Sequence, residues 1–182
     1  MSLNELMTEA DTKPTVHDRV DDTWTTEFYQ KTAITREIVR HPTYRFKFQL
    51  GTEVCSFSPT DPNVGSWLEQ AVQELNRVAG LQADWDSYGA SPVSQLTLED
   101  AFVVLAELMK GHSTLPQIGA SIAGGVELEW HQPGVGLEIE VRAPTMIHAY
   151  FYDDNQPDEE WEGDLKLDNI FMLEPYVGRF AS

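Results

Sequence analysis

Val126-Glu127-Leu128-Glu129-Trp130-His131-Gln132-Pro133-Gly134-Val135-Gly136-Leu137-Glu138-Ile139-Glu140-Val141-Arg142 decides the fold of this chain. Val126, Leu128 and Trp130 alternate with Glu127, Glu129 and His131, and Leu137, Ile139 and Val141 alternate with Glu138, Glu140 and Arg142. Side chains along a strand point to opposite faces in turn, so this period marks two half-buried strands, each apolar on one face and acidic on the other. Pro133-Gly134 supplies the turn between them. Working outward, Ala143-Pro144 makes a second turn, after which Ile147, Ala149 and Phe151 alternate with His148, Tyr150 and Tyr152. Gln117 to Ile122 gives a further strand across Gly124-Gly125. The expected core is an antiparallel β-meander with one apolar face.

Two helices are expected to cover that face. Ser66 followed by Glu69 reads as a capping box, with Trp67, Leu68, Ala71, Val72, Leu75 and Val78 on one helical face and Gly80 placed to end the helix in the left-handed conformation. Ser94 or Thr97 caps a second helix, whose Leu98, Ala101, Phe102, Leu105, Leu108 and Met109 form a buried stripe before Gly111. Upstream, Tyr44, Phe46, Phe48 and Leu50 alternate with charged and polar residues, and Gly51-Thr52 turns that strand into a partner at Glu53 to Phe57. Trp24 to Arg40 is ambiguous, alternating like a strand at Trp24, Thr26 and Phe28 and spaced like a helix at Ile34 and Ile38. Residues 1–22 read as a flexible acidic N-terminal arm, and residues 23–182 as a single α+β domain: an antiparallel β-meander with two helices packed on one face. Asp153 to Glu162 reads as an acidic loop, followed by a short terminal element of Leu165, Leu167, Ile170, Phe171 and Leu173 that packs before Pro175.

Composition bounds the function. The 182 residues are enough to bury a sizeable core, and an apolar fraction of 41% is too high for a disordered chain. Lys and Arg total 12 against 30 Asp and Glu, a formal charge of −18 that repels nucleic-acid phosphates and anionic membranes and attracts a basic partner. The single cysteine, Cys55, forms no intrachain disulfide, which points to a reducing compartment and a cytoplasmic setting; its strand context favours burial over nucleophilicity. The apolar run Ala101 to Ala106 is far too short to span a membrane, and no basic flank with an apolar core opens the chain.

Between the helices lies Asp84-Trp85-Asp86-Ser87-Tyr88-Gly89-Ala90-Ser91-Pro92. Asp84, Asp86 and Tyr88 in alternate positions before Gly89 open like an EF-hand calcium loop, but Gln95 stands where the closing bidentate Glu belongs and Ser91 where an aliphatic anchor belongs. The loop therefore reads as structural: Gly89 takes a positive φ, Pro92 fixes the exit, and Trp85 and Tyr88 pack over the core. This loop, with Gly124 to His131 and Leu137 to Val141, resembles a family of small, uncharacterised bacterial and phage-associated proteins over about residues 68–152. The resemblance implies a prokaryotic or phage setting and brings no catalytic residue with it.

The acidic strand faces are the candidate site. A tight turn at Pro133-Gly134 sets His131 opposite Gly136, Glu129 opposite Glu138 and Glu127 opposite Glu140, with His148, Tyr150 and Tyr152 alongside; a two-residue slip would instead set Glu127 against Arg142. The first register leaves like charges facing each other, at about 0.2–1 kcal/mol per pair. There is no nucleophile elbow, phosphate loop or paired zinc-spaced histidine, and His17, His41, His112, His131 and His148 are scattered. Neither a catalytic residue, a metal site nor a cofactor is therefore expected. The function expected is that of a non-enzymatic acidic protein (an inhibitor, immunity or antitoxin-like protein, or phage accessory factor) docking a basic protein surface, such as that of a nucleic-acid-binding protein. Its binding residues are Glu127, Glu129, His131, Glu138, Glu140, His148, Tyr150 and Tyr152. The alternatives are a carboxylate-dependent, metal-assisted hydrolase and a structural homo-oligomer subunit.

Overall fold

The computed structural model describes residues 35–39, 43–59, 65–111, 113–142 and 145–180. Three strands, β1 (Thr35–Val39), β2 (Thr43–Leu50) and β3 (Glu53–Phe57), form a small antiparallel sheet. Helices α1 (Gly65–Ala79) and α2 (Gln95–Leu108) follow, and then β4 (Gln117–Ala120), β5 (Val126–Gln132), β6 (Val135–Arg142), β7 (Met146–Asp153) and β8 (Trp161–Lys166), which pair in sequence order. The five-stranded sheet is an antiparallel meander. The chain closes with a 3-10 segment at Leu167–Leu173, the four-residue α3 (Glu174–Val177) and a 3-10 turn at Gly178–Phe180. The fold is α+β, as the alternating patterns predict.

Burial explains why these elements meet. Val126, Leu128, Trp130, Leu137, Ile139, Val141, Ile147, Ala149 and Phe151 all lie on the inner face of the large sheet and are buried. α2 packs on β5 and β6, while α1 touches both β2 and β4 and so joins the two sheets. Every apolar residue expected on the inner stripes of α1 and α2 is buried, and Phe48 of β2 meets Phe102 of α2 with ring centroids 4.8 Å apart. One polar device fixes the small sheet to the helices. Gly51, at φ +57°, turns β2 into β3; Asn76 of α1 accepts from Gly51 N at 2.8 Å and donates to Gln49 O at 2.8 Å. Gln95 of α2 donates to Leu50 O and accepts from Thr52 N, both at 3.0 Å.

Several expectations need correction. The ambiguous stretch ends in a strand, β1, whose pairing with β2 decides its form; its earlier part, the residues 1–22 arm, His17, His41 and His112 lie outside the described residues. α1 begins at Gly65, so Ser66 sits inside the helix and not before it. Gly80 is absent from the positive-φ residues: its N–H bonds Asn76 O at 3.1 Å, and Leu81 N bonds Val78 O, so a further turn of backbone hydrogen bonds ends the helix without a left-handed residue. On α2, Ser94 is the N-cap, accepting from Thr97 N, and Thr97 is a buried helical residue. β4 stops at Ala120. The expected acidic loop holds a 3-10 turn at Pro157–Glu159 and leads into β8, a strand that takes in Leu165. In the terminal element Ile170 and Leu173 are buried while Phe171 is exposed, because a 3-10 segment repeats every three residues and turns Phe171 away.

Candidate functional site

The site begins at a two-residue turn. Pro133 and Gly134 connect β5 to β6, with Gly134 at φ +80° and Gln132 paired to Val135. That register sets His131 opposite Gly136, Glu129 opposite Glu138 and Glu127 opposite Glu140, and the slipped alternative is not adopted. β7 continues both rows, placing Tyr150 beside Glu138 and His148 beside Glu140. β8 then adds Glu162 beside Tyr150 and Asp164 beside His148. Because the inner positions of these strands are filled by the core, every one of these polar side chains is driven to the opposite face.

The result is a shallow trough of about 390 Å³ lined by Glu127, Glu129, Glu138, Glu140, Glu160 and Glu162, with His148 and Tyr150 among them. Its carboxylates are not equivalent. Burial, followed by the charges of Glu129, Glu140 and Glu138, raises the pKa of Glu127. Burial acts in the same direction on Glu140, but hydrogen bonds from Arg142 and Ser121 outweigh it and hold that carboxyl below its ordinary range. The Arg142 pair is close, with Nε donating to Glu140 Oε2 at 2.7 Å. Glu140 thus belongs to an internal ion pair and contributes less to the open field than its neighbours.

The remaining polar groups are arranged along the trough. His148 Nδ1 lies 2.9 Å from Asp164 Oδ1, and its Nε2 lies 3.3 Å from Glu162 Oε1. His131 Nε2 is 3.5 Å from Glu129 Oε2. Tyr150 donates its hydroxyl to Glu160 Oε1 at 3.1 Å, and this bond, with burial and nearby carboxylates, raises the phenol pKa. Tyr152 leans on Tyr150, ring centroids 5.8 Å apart, and its ring covers Gly136 so closely that a Cβ there would collide with it. Thus all eight residues expected to bind a partner share one face of the sheet. Sequence reading missed Glu160, Glu162 and Asp164, although Trp161, Gly163 and Leu165 alternating with Glu162, Asp164 and Lys166 carried the signal.

The loop between the helices is separate from this face, and none of its residues lines the trough. Asp84 Oδ1 accepts from Gly89 N at 2.7 Å, and Asp86 Oδ1 accepts from Tyr88 N at 2.8 Å and Ala90 N at 3.0 Å. The two backbone bonds from Tyr88 and Ala90 are the leading causes that lower the pKa of Asp86. Gly89 has the expected positive φ, +93°, and Asp84 and Ser87 share that region at +63° and +64°. Trp85 and Tyr88 do not pack over the core: Tyr88 is 93% exposed and Trp85 37%. The left-handed residues on either side of Trp85 turn the tip outward while its carboxylates hold the loop's own amides; only Ala90 is buried. Past Pro92, itself exposed, the chain enters α2. Ser91 N bonds Ile122 O at 3.0 Å, tying the loop to the β4–β5 turn.

Among the described residues no group of three or more His, Cys, Asp or Glu side chains is placed to hold a metal ion. Cys55 is half-buried, and burial together with Glu99 and Glu53 raises its thiol pKa, which disfavours the nucleophilic thiolate. No helix among the described residues is long and apolar enough to cross a membrane. No protein-family model, curated protein or solved structure matches the chain.

Proposed function

We propose that this protein is a non-enzymatic acidic binding protein whose outer sheet face docks a basic surface on another protein. The observation that carries this reading is the register of β5 and β6, which stacks Glu127, Glu129 and Glu138 on one exposed face where facing carboxylates disfavour the fold. A basic partner relieves that repulsion on binding, so the same charges that weaken the free protein strengthen the complex. The formal charge of −18 extends the field and favours rapid capture. Inhibitors, immunity or antitoxin-like proteins and phage accessory factors act in this way, and basic nucleic-acid-binding proteins offer the matching surface. A bacterial or phage setting belongs to this proposal and rests on the family resemblance of the loop and strands alone.

The test compares the full chain with a Glu127→Gln, Glu129→Gln, Glu138→Gln variant, each immobilised and exposed to an extract of the source organism. A partner held by the parent, released by salt and lost by the variant supports the reading. For that partner the association rate should fall about tenfold or more, with a smaller change in dissociation. Unchanged association and salt dependence in a folded variant would place the interface elsewhere.

A further inference from the structure

β8 ends the large sheet, and among the described residues no strand pairs with its far side. The register sets the direction in which its main-chain groups point. Leu167 N donates to Thr145 O at 3.3 Å, and bonded pairs recur at every second residue of an antiparallel ladder. Ile147 with Leu165, Ala149 with Gly163 and Phe151 with Trp161 are therefore the bonded pairs to β7. The main-chain groups of Glu162, Asp164 and Lys166 consequently face the open edge. Residues that share an edge also share a face, so the same three side chains lie on the acidic side, where Glu162 and Asp164 are 66% and 60% exposed.

The open edge is thus a ladder whose rungs carry carboxylate, carboxylate and ammonium in order. We propose that β8 accepts an extended segment of the basic partner as an added strand, with Lys or Arg opposite Glu162 and Asp164. This rests on the reading of the acidic face as the docking surface. Read antiparallel, the complementary segment is Glu-x-Lys-x-Lys, its Glu opposite Lys166 and its x positions apolar because they oppose Leu165 and Gly163 on the inner side. Charge opposes a second copy of this chain as the occupant. Self-pairing centred on Asp164 matches Glu162 with Lys166 on either side but sets Asp164 against its own copy and brings together two chains of −18 each, whereas a basic segment meets both carboxylates with a cation.

The test uses the full chain and two blocked synthetic peptides of sequence Thr-Glu-Val-Lys-Val-Lys-Thr, one unmodified and one N-methylated at its Glu and both Lys amides. The two carry the same charge, but only the first can donate to the edge. Fluorescence anisotropy at low salt should show the unmodified peptide binding about tenfold tighter, the scale of losing several net hydrogen bonds. Amide exchange at Glu162, Asp164 and Lys166 should slow when it binds. Equal affinities for the two peptides would overturn strand addition while leaving the acidic-face reading intact. Binding of neither, or edge amides already protected by self-association in sedimentation, would also overturn it. If the unmodified peptide binds the triple Glu→Gln variant with undiminished affinity and still outbinds its N-methylated counterpart, the edge proposal stands and the acidic-face reading fails.

Discussion

Glu127 and Glu140 face each other across β5 and β6, yet the fold pushes their carboxyl groups in opposite directions. Glu140 has Arg142 and Ser121 as hydrogen-bond donors, whereas burial and three neighbouring carboxylates dominate around Glu127. Glu127 keeps its proton to higher pH in the folded chain than in the unfolded one, so its ionisation opposes folding above the ordinary carboxylate range. Glu127→Gln should therefore raise stability at neutral pH by about 0.2–1 kcal/mol, a gain that vanishes in acid where both states are protonated. Glu140 behaves inversely, adding stability above its unfolded pKa that is lost as pH falls through its lower folded value. Glu140→Gln should lower neutral-pH stability by up to about 1 kcal/mol, since the pair is partly exposed and screened. Urea midpoints across the acid range check both; changes of the same sign would refute the distinction.

Gly89→Val isolates backbone strain. An added Cβ at Gly89 meets nothing within 4 Å, so no clash contributes, and the φ of +93° alone opposes the substitution. The loss should be at least ~1 kcal/mol by denaturant melts. A variant as stable as the parent would mean that the loop relaxes freely.

Calcium should leave the loop unoccupied. Asp84 Oδ1 and Asp86 Oδ1 already accept backbone N–H groups, and an EF-hand cation needs those oxygens together with a closing bidentate Glu that the chain lacks at Gln95. Calorimetry should show no saturable heat at micromolar calcium. Tight binding abolished by Asp84→Ala and Asp86→Ala would overturn this.

Tyr152 shields Gly136, a glycine inside a strand with no side chain of its own to pack. Tyr152→Ala should lower stability by about 0.5–1 kcal/mol through the loss of this cross-strand cover. Gly136→Ala should also destabilise, because its Cβ displaces the ring. In the double variant the two losses should not add, since each removes the same contact. Additive losses would show that the ring and the glycine act independently.

The large sheet was mostly legible because its information is local. Period-two alternation needs no distant partner, and a turn as short as Pro133-Gly134 leaves little freedom in how Glu129 and Glu138 meet. The same holds for the helical stripes of Trp67 to Val78 and Leu98 to Met109, all of which turned inward. Reading failed where local signals were weak or were outweighed. The charge of Asp153 to Glu162 masked the approach to β8, whose strand form depends on pairing with β7. Trp85 and Tyr88 looked like core residues because aromatics usually are, but the turn chemistry of Asp84 and Asp86 points them outward.

By itself the sequence determined which residues of β5, β6 and β7 lie on the acidic face and which lie beneath it, because side-chain direction along a strand follows from the covalent geometry of the backbone. Only the tertiary structure decided how those acidic residues differ. Ser121 reaches Glu140 from the end of β4, Glu160 reaches Tyr150 from the 3-10 turn, and His148 comes to lie between Glu162 and Asp164 through the pairing of β7 with β8. A carboxylate's behaviour is set by the donors and charges within a few ångströms of it, and residues distant in sequence become such neighbours only when the strands register.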